Sequence, residues 1–346
     1  MANRYLVGTG NWNNTTTVWS NSDGGAPGSF VPVAGDTAFL TATSGAVTVT
    51  LSAAAACTIL DCTGFPGTIA FGILELTVAG NVTLSSGMTV TGTTGGITVS
   101  AAATITGGGM ASFPVYLVLG AGAKTINADG TLWGAIQWNS AMTVTLAAAL
   151  QCTLLLFVTG QPTFAGAFNV TIGTFRWSPS GLSEGTLILV SGQTYTVSTA
   201  LRMLIASSAS SGHLRSSTAS SSASLVYNGT AANCSVGGLQ VTDIAYSGGT
   251  VTTIDNWYGG TLLRTTGITN RTSADIVDLS AADLTVAEAP TGKTFFAVSG
   301  GVKTGTGTKT LSAANETVAA GYYAATTLSA VDADLAVGNI VAGKTI

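Results

Sequence analysis

VTVTLSAAAACTIL at residues 47–60 returns as MTVTLAAALQCTLL at residues 142–155. The two stretches align without a gap at a separation of 95 residues, setting Cys57 on Cys152 and Leu51 on Leu146. Weaker echoes lie between and beyond them: LTVAGNVTL at 76–84, ITVSAAATI at 97–105 and YTVSTALRMLI at 195–205. Short β-rich units recurring along one chain mark a solenoid, in which each coil stacks on the last and buries a shared core. The expected fold is therefore mainly β, with a parallel β-helix at its centre.

Composition agrees with that expectation. Only 8% of the 346 residues are charged, against roughly a quarter in an ordinary soluble domain. Thr, Ser, Ala and Gly take the places of Lys and Glu. Threonine is β-branched and suits a pleated surface, while Ala and Gly stack closely. A surface so short of charge is expected to be covered in part by copies or partners. Net charge is −4 with a pI near 4.8, and Arg4, Lys124, Arg176, Arg202 and Arg215 stand alone. No basic field exists to hold nucleic acid.

The opening MANRYLVGTGNW lacks a basic segment followed by an apolar run and cleavage site, so no signal peptide is expected. The most apolar stretch, residues 146–158, is too short to span a bilayer and contains Gln151 and Thr153. No membrane partner is expected.

Three regions are predicted. Residues 1–205 carry the repeats, as strand-like runs such as AVTVTL, GILELTV and QTYTVS separated by Gly, Ser-Gly or Pro turns. Several runs alternate apolar with Thr or Ser, as expected where one face lies inside the coil. YLVL and TLLLFV are apolar on both faces, as if covered by a neighbour. From residue 37 to residue 122 the only charges are Asp61 and Glu75. Residues 206–272 are read as a Ser-rich loop or linker, SSASSGHLRSSTASSSAS at 207–224, followed by a β extension. Residues 273–346 hold eleven of the twenty-six charges. They repeat ADLTVAEAPTGKTF (282–295) as ADLAVGNIVAGKTI (333–346) and are read as a small α+β module, partly helical around 280–288 and 328–340.

Catalytic and metal motifs are weak. Cys57, Cys62, Cys152 and Cys234 sit at no metal-binding spacing and are read as buried free thiols, so no metal or cofactor is expected. GNIVAGKT at 338–345 matches the phosphate-loop pattern GxxxxGK[ST], but with only Ile346 after it the helix such a loop requires is not expected. His213, the single histidine, lies among serines without the fixed partners of a triad. Two carboxylates lined on one face could cleave a polysaccharide. Asp61, Glu75, Asp129 and Glu184 are the acids available for that, and none forms a close pair in sequence. The chain is therefore read as non-enzymatic. Among aromatics, Tyr5, Trp12 and Trp19 cluster at the start and are assigned to an N-terminal cap. Trp133, Trp138, Trp257 and Tyr258 are the candidates for stacking on glycan or a partner.

The opening RYLVGTGNWNNTTTVWSNSDGGAPGSFVPVAGDTAFL carries Tyr5, Val7, Gly8, Gly10 and Trp12, then Trp19 and Ser20, then Pro32 and Asp36. That pattern resembles the first segment of β-helical proteins in tailed-phage particles and in some bacterial surface adhesins. GKTFFAVSG, TGTGTKTL and the closing AGYYAATTLSAVDADLAVGNIVAGKTI resemble modules of phage virion and fibre proteins. The closing AGKTI departs from such modules, which usually continue with another short strand. The resemblance implies a virion structural protein on the particle exterior, a capsid decoration or head fibre. It also implies assembly as trimers against major capsid or other virion proteins, and brings no catalytic residue. A tail fibre or spike binding host surface glycan is the second expectation. A secreted adhesin and a polysaccharide depolymerase follow.

Overall fold

The computed structural model describes residues 1–158, 162–177, 185–204, 212–230, 233–237 and 239–248. It also describes the strands Thr253–Asn256, Leu262–Leu263, Thr269–Thr272, Thr294–Phe296 and Val302–Thr304. Two compact units are formed, Met1–Asn270 and Arg271–Ile346. Within the second, Thr294–Phe296 pairs antiparallel with Val302–Thr304. The expected helices at 280–288 and 328–340 lie outside the described residues.

The first unit is a parallel β-solenoid of about nine turns with almost no helix, a 3-10 turn at Ala42–Ser44 among the little described. Three sheets wrap the core. One, called here the first sheet, has thirteen strands and runs from Trp19–Ser20 and Asn3–Leu6 through Thr37–Phe39, Ile59–Asp61 and Val82–Thr83 to Leu262–Leu263. The second, also of thirteen, starts at Ala55–Cys57 and Glu75–Val78. A short sheet of four comprises Gly10–Asn11, Thr48–Thr50, Thr68–Gly72 and Thr89–Gly92.

Early coils are thus three-sided. Later ones fuse two sides into single long strands: Phe113–Leu119, Leu132–Trp138, Leu150–Phe157, Val170–Trp177 and Thr194–Leu204. The old corner survives as a register break, between Phe113 and Tyr116 and again between Ile172 and Thr174. Gly134 and Gly173 sit at that corner, where a Cβ would stand 2.7 Å from backbone atoms of Pro114 and 2.5 Å from the Thr153 carbonyl oxygen respectively.

Strand alternation sends every second side chain inward, and parallel register stacks those side chains into columns. On the first sheet Ala38, Leu60, Val82, Ile105, Ile126 and Leu146 follow one another. On the second sheet one column reads Cys57, Val78, Val99, Leu119, Trp138, Phe157, Trp177 and Met203. All fourteen are at most 3% exposed. Phe164 of the first sheet reaches across the coil, with its ring 5.5 Å from Trp138 and 5.4 Å from Tyr195.

The sequence echoes divide into two kinds. LTVAGNVTL and ITVSAAATI are true neighbours, with Leu76 on Ile97 and Val82 on Ile105. The stronger pair at 47–60 and 142–155 is out of phase: Thr48–Thr50 belongs to the short sheet, whereas Thr143–Leu146 belongs to the first. Its strand–corner–strand pattern suits any corner, so similarity alone does not fix the face.

The expected linker is also corrected. Gly212–Ser216, inside the Ser-rich run, is a strand of the first sheet, in register with Thr186–Leu189 and Leu239–Thr242. Gly212, Leu214 and Ser216 are buried while Arg215 is exposed, and this alternation was masked by the surrounding serines. The solenoid therefore continues through the region assigned to a separate extension.

Corner geometry generates a test. Gly166 has φ +87° and a Cβ there would lie 2.1 Å from the Leu146 carbonyl oxygen; Gly130 has φ +78° but open space around it. Gly166→Ala is expected to lower stability by roughly 2–4 kcal/mol and Gly130→Ala by about 1 kcal/mol, the cost of the left-handed conformation alone. Urea unfolding of the two variants checks the difference.

Candidate functional site

At the N-terminal end, side chains from several segments converge. Asn3–Leu6 pairs parallel with Thr37–Phe39 on one side but antiparallel with Trp19–Ser20 on the other. The antiparallel strand breaks the coil repeat there. Trp12 and Trp19 are buried edge to face at 4.8 Å, and the Trp19 indole N–H donates to the Trp12 carbonyl at 2.6 Å. Tyr5 stacks on Phe39 at 4.9 Å.

Arg4 stands in register with Ala38, at the end of the aliphatic column of the first sheet. Its Nε donates to Asp36 Oδ2 at 3.1 Å and its guanidinium lies 5.6 Å from the Phe30 ring. Asp36 Oδ1 also accepts from the Ala2 N–H at 3.0 Å. Burial pushes this carboxyl up, yet the bonds from Ala2 and Arg4 together hold it below its ordinary value. Sequence reading did not find this latch, because Arg4 and Asp36 lie 32 residues apart.

The acids do not converge. Asp61 accepts from the N–H and hydroxyl of Thr63, fixing its own turn. Glu75 accepts from Thr98 Oγ1 on the next coil of the second sheet. Asp129 and Gly130 both have positive φ, in a turn closed by Thr131 N–H on Ala128, the conformation of a type I′ turn. Asp61 is three strand spacings from Asn127, through Thr83 and Thr106, roughly 14 Å. Paired glycosidase carboxylates need about 5–9.5 Å. Glu184 lies outside the described residues, as does the phosphate-loop-like stretch at 338–345.

Among the described residues no group of three or more His, Cys, Asp or Glu could hold a metal. Cys57, Cys62 and Cys152 are buried free thiols and Cys234 is half-buried. Burial, with the Asp36 charge added, pushes Cys57 up to about 12, and burial alone does the same to Cys152. Cys62 is pushed well up by burial and by the neighbouring Asp61 and Cys57. None is an activated nucleophile. His213 projects between Thr186 and Gln240 on the first sheet.

Lys124 is 1% exposed. Its ammonium donates to the carbonyls of Gly120, Ala121 and Gly122 at 3.2, 2.6 and 2.9 Å, using all three donors on one corner. Burial brings its pKa down to about 8.

The aromatic candidates are redistributed. Trp133 and Trp138 are 0% exposed, so neither can stack on a ligand outside the coil. Trp133 packs on Phe113 at 5.0 Å and Trp138 on Phe157 at 4.8 Å. Both occupy inward positions of strands that alternate about them, a phase that composition did not reveal. Trp257 and Tyr258 lie outside the described residues. Outward on the first sheet, Thr104, Thr125 and Thr145 form a hydroxyl column one coil apart, with charges there confined to isolated groups such as Asp61 and Arg215. No described helix is long and apolar enough to cross a membrane.

Two outcomes are expected. Asp36→Asn should loosen Asn3–Leu6 at a cost of about 1–3 kcal/mol, seen as faster amide exchange there. Because the folded pKa of Asp36 is depressed, its contribution is present above 3.8 and lost as pH falls below that value. At the alkaline end the thiols act the other way. Their stabilising share is complete below 9.0 and lost as pH rises toward 12. Lys124 opposes this with a gain between about 8 and 10.5, a single group against several thiols. Thermal melts should fall above pH 9, and Cys57→Val with Cys152→Val should flatten that slope.

No protein-family model, no curated protein and no solved structure matches the chain, so the surfaces above stand on their own chemistry.

Proposed function

We propose that this chain is a non-enzymatic structural protein of a tailed-phage particle, held on its exterior as a capsid-decorating or head-fibre rod. The observation that carries this reading is the solenoid's outward surface, hydroxyl-lined on the first sheet and poor in charge throughout, on which Asp61, Glu75 and Asp129 are each held in a local turn or ladder. Such a surface suits extended packing against a repeating lattice, where hydroxyls and methyls match many equivalent neighbours. The class of particle comes from the resemblance of the opening and closing segments. Its partners would be the major capsid protein or other virion proteins, together with further copies of itself.

A tail fibre or spike is the second reading. The column Thr104, Thr125 and Thr145 favours it, since hydroxyls repeating at each coil can bond along an extended glycan.

The test is a binding titration of the full chain against purified shells lacking it. Saturation at a fixed number of copies per capsomer is expected. Binding to host cells or their extracted glycan, with none to shells, would replace the first reading by the second. Binding to neither would remove both.

A further inference from the structure

The outward face of the second sheet differs in kind from that of the first. Where the first presents threonine, the second presents Tyr116, Ala135 and Leu154 in one column and Val118, Gln137 and Leu156 in the next, across three successive coils. Alternation sets all six on the side of the sheet opposite the inward Leu117, Ile136 and Leu155; Tyr116, Gln137, Leu154 and Leu156 are half-buried, while Val118 and Ala135 keep only 8% and 7% exposure. Along the coil axis this apolar patch has charged ends of opposite sign. Glu75 lies two coils before Tyr116. Arg176 and Arg202 follow Leu156 on the next two coils. All three are exposed, and neither arginine forms an ion pair among the described residues.

We propose that this face takes a second copy of the same chain, laid face to face with the two solenoids antiparallel. A face that meets itself does so about a two-fold axis lying in the contact plane. If that axis follows the coil direction, Arg176 and Arg202 lie beside their own equivalents and repel. If it follows the strands, through the coil of Ala135 and Gln137, Tyr116 and Val118 meet Leu154 and Leu156 of the second copy. Glu75 then comes opposite the coil that carries Arg202. Three coils separate each of these from the axis, so both ends close together. The result has an apolar centre and a charged rim of matched sign. The face spans about 30 Å by 13 Å, so a pair buries roughly 800 Å², the size of a weak and reversible contact.

Glu75 and Arg202 supply a test that distinguishes this packing from any other use of the patch. Sedimentation equilibrium of the full chain across the micromolar range should show a monomer–dimer equilibrium. Leu154→Glu with Leu156→Glu should leave a monomer whose circular dichroism is unchanged, since both side chains point out. Glu75→Arg alone should raise the dissociation constant by at least about tenfold, and adding Arg202→Glu should restore it. A wild-type chain that stays monomeric, association that survives the double glutamate change, or a charge-swapped pair that stays weak would each overturn the proposal. The contact does not depend on the chain decorating a shell, so failure of either assay leaves the other standing.

Discussion

Everything in the solenoid depends on parallel register. Each coil must return to the same lateral position one strand spacing further on, because the backbone ladder of one coil is completed only by the next. Corners absorb the irregularity. From Leu117 to Ile136 the chain takes 19 residues to come round, and from Phe175 to Leu201 it takes 26, yet both pairs sit side by side. A side chain therefore belongs to a column before it belongs to its own segment. That is why glycine is required where corners are tight, and why Lys124 bonds three corner carbonyls instead of reaching solvent.

This also explains what could be read in advance. Alternation in LTVAGNVTL and ITVSAAATI revealed coils that do stack, because both occupy the same two faces. Cys57, Cys62 and Cys152 read as small buried hydrophobes, which they are. Phase around the coil was not legible. It is set by how many residues each corner holds, so the VTVTL and MTVTL halves of the echo landed on different sheets, while Cys57 and Cys152 share a sheet but not a column. For the same reason Trp133 and Trp138 could not be assigned inward or outward without the register. In GHLRS a single leucine suffices because its buried neighbours Gly212 and Ser216 are small.

Candidate chemistry was legible mainly as scarcity. Sequence showed few acids; structure adds that Asp61, Glu75 and Asp129 serve a turn, a ladder and a left-handed corner in three separate places. The latch between Arg4 and Asp36 and the contrast between a hydroxyl face and an apolar one emerged only from the fold. The doubly apolar runs YLVL and TLLLFV hinted at the second. Alternation shows which side is wet or buried, but only the register shows that Tyr116, Leu154 and their neighbours make one continuous surface.

The inner column of the second sheet grows from Cys57, Val78 and Val99 through Leu119 to Trp138, Phe157 and Trp177. In a one-dimensional stack each coil is stabilised by itself and its two neighbours, so such a gradient makes the rod mechanically uneven. Its keel lies amidships, where the rings bury most area, while the lighter coils toward the N-terminus resist least. A load along the axis would peel the rod from that end inward, part the edge-to-face Trp12–Trp19 pair there, and meet rising resistance at the aromatic coils.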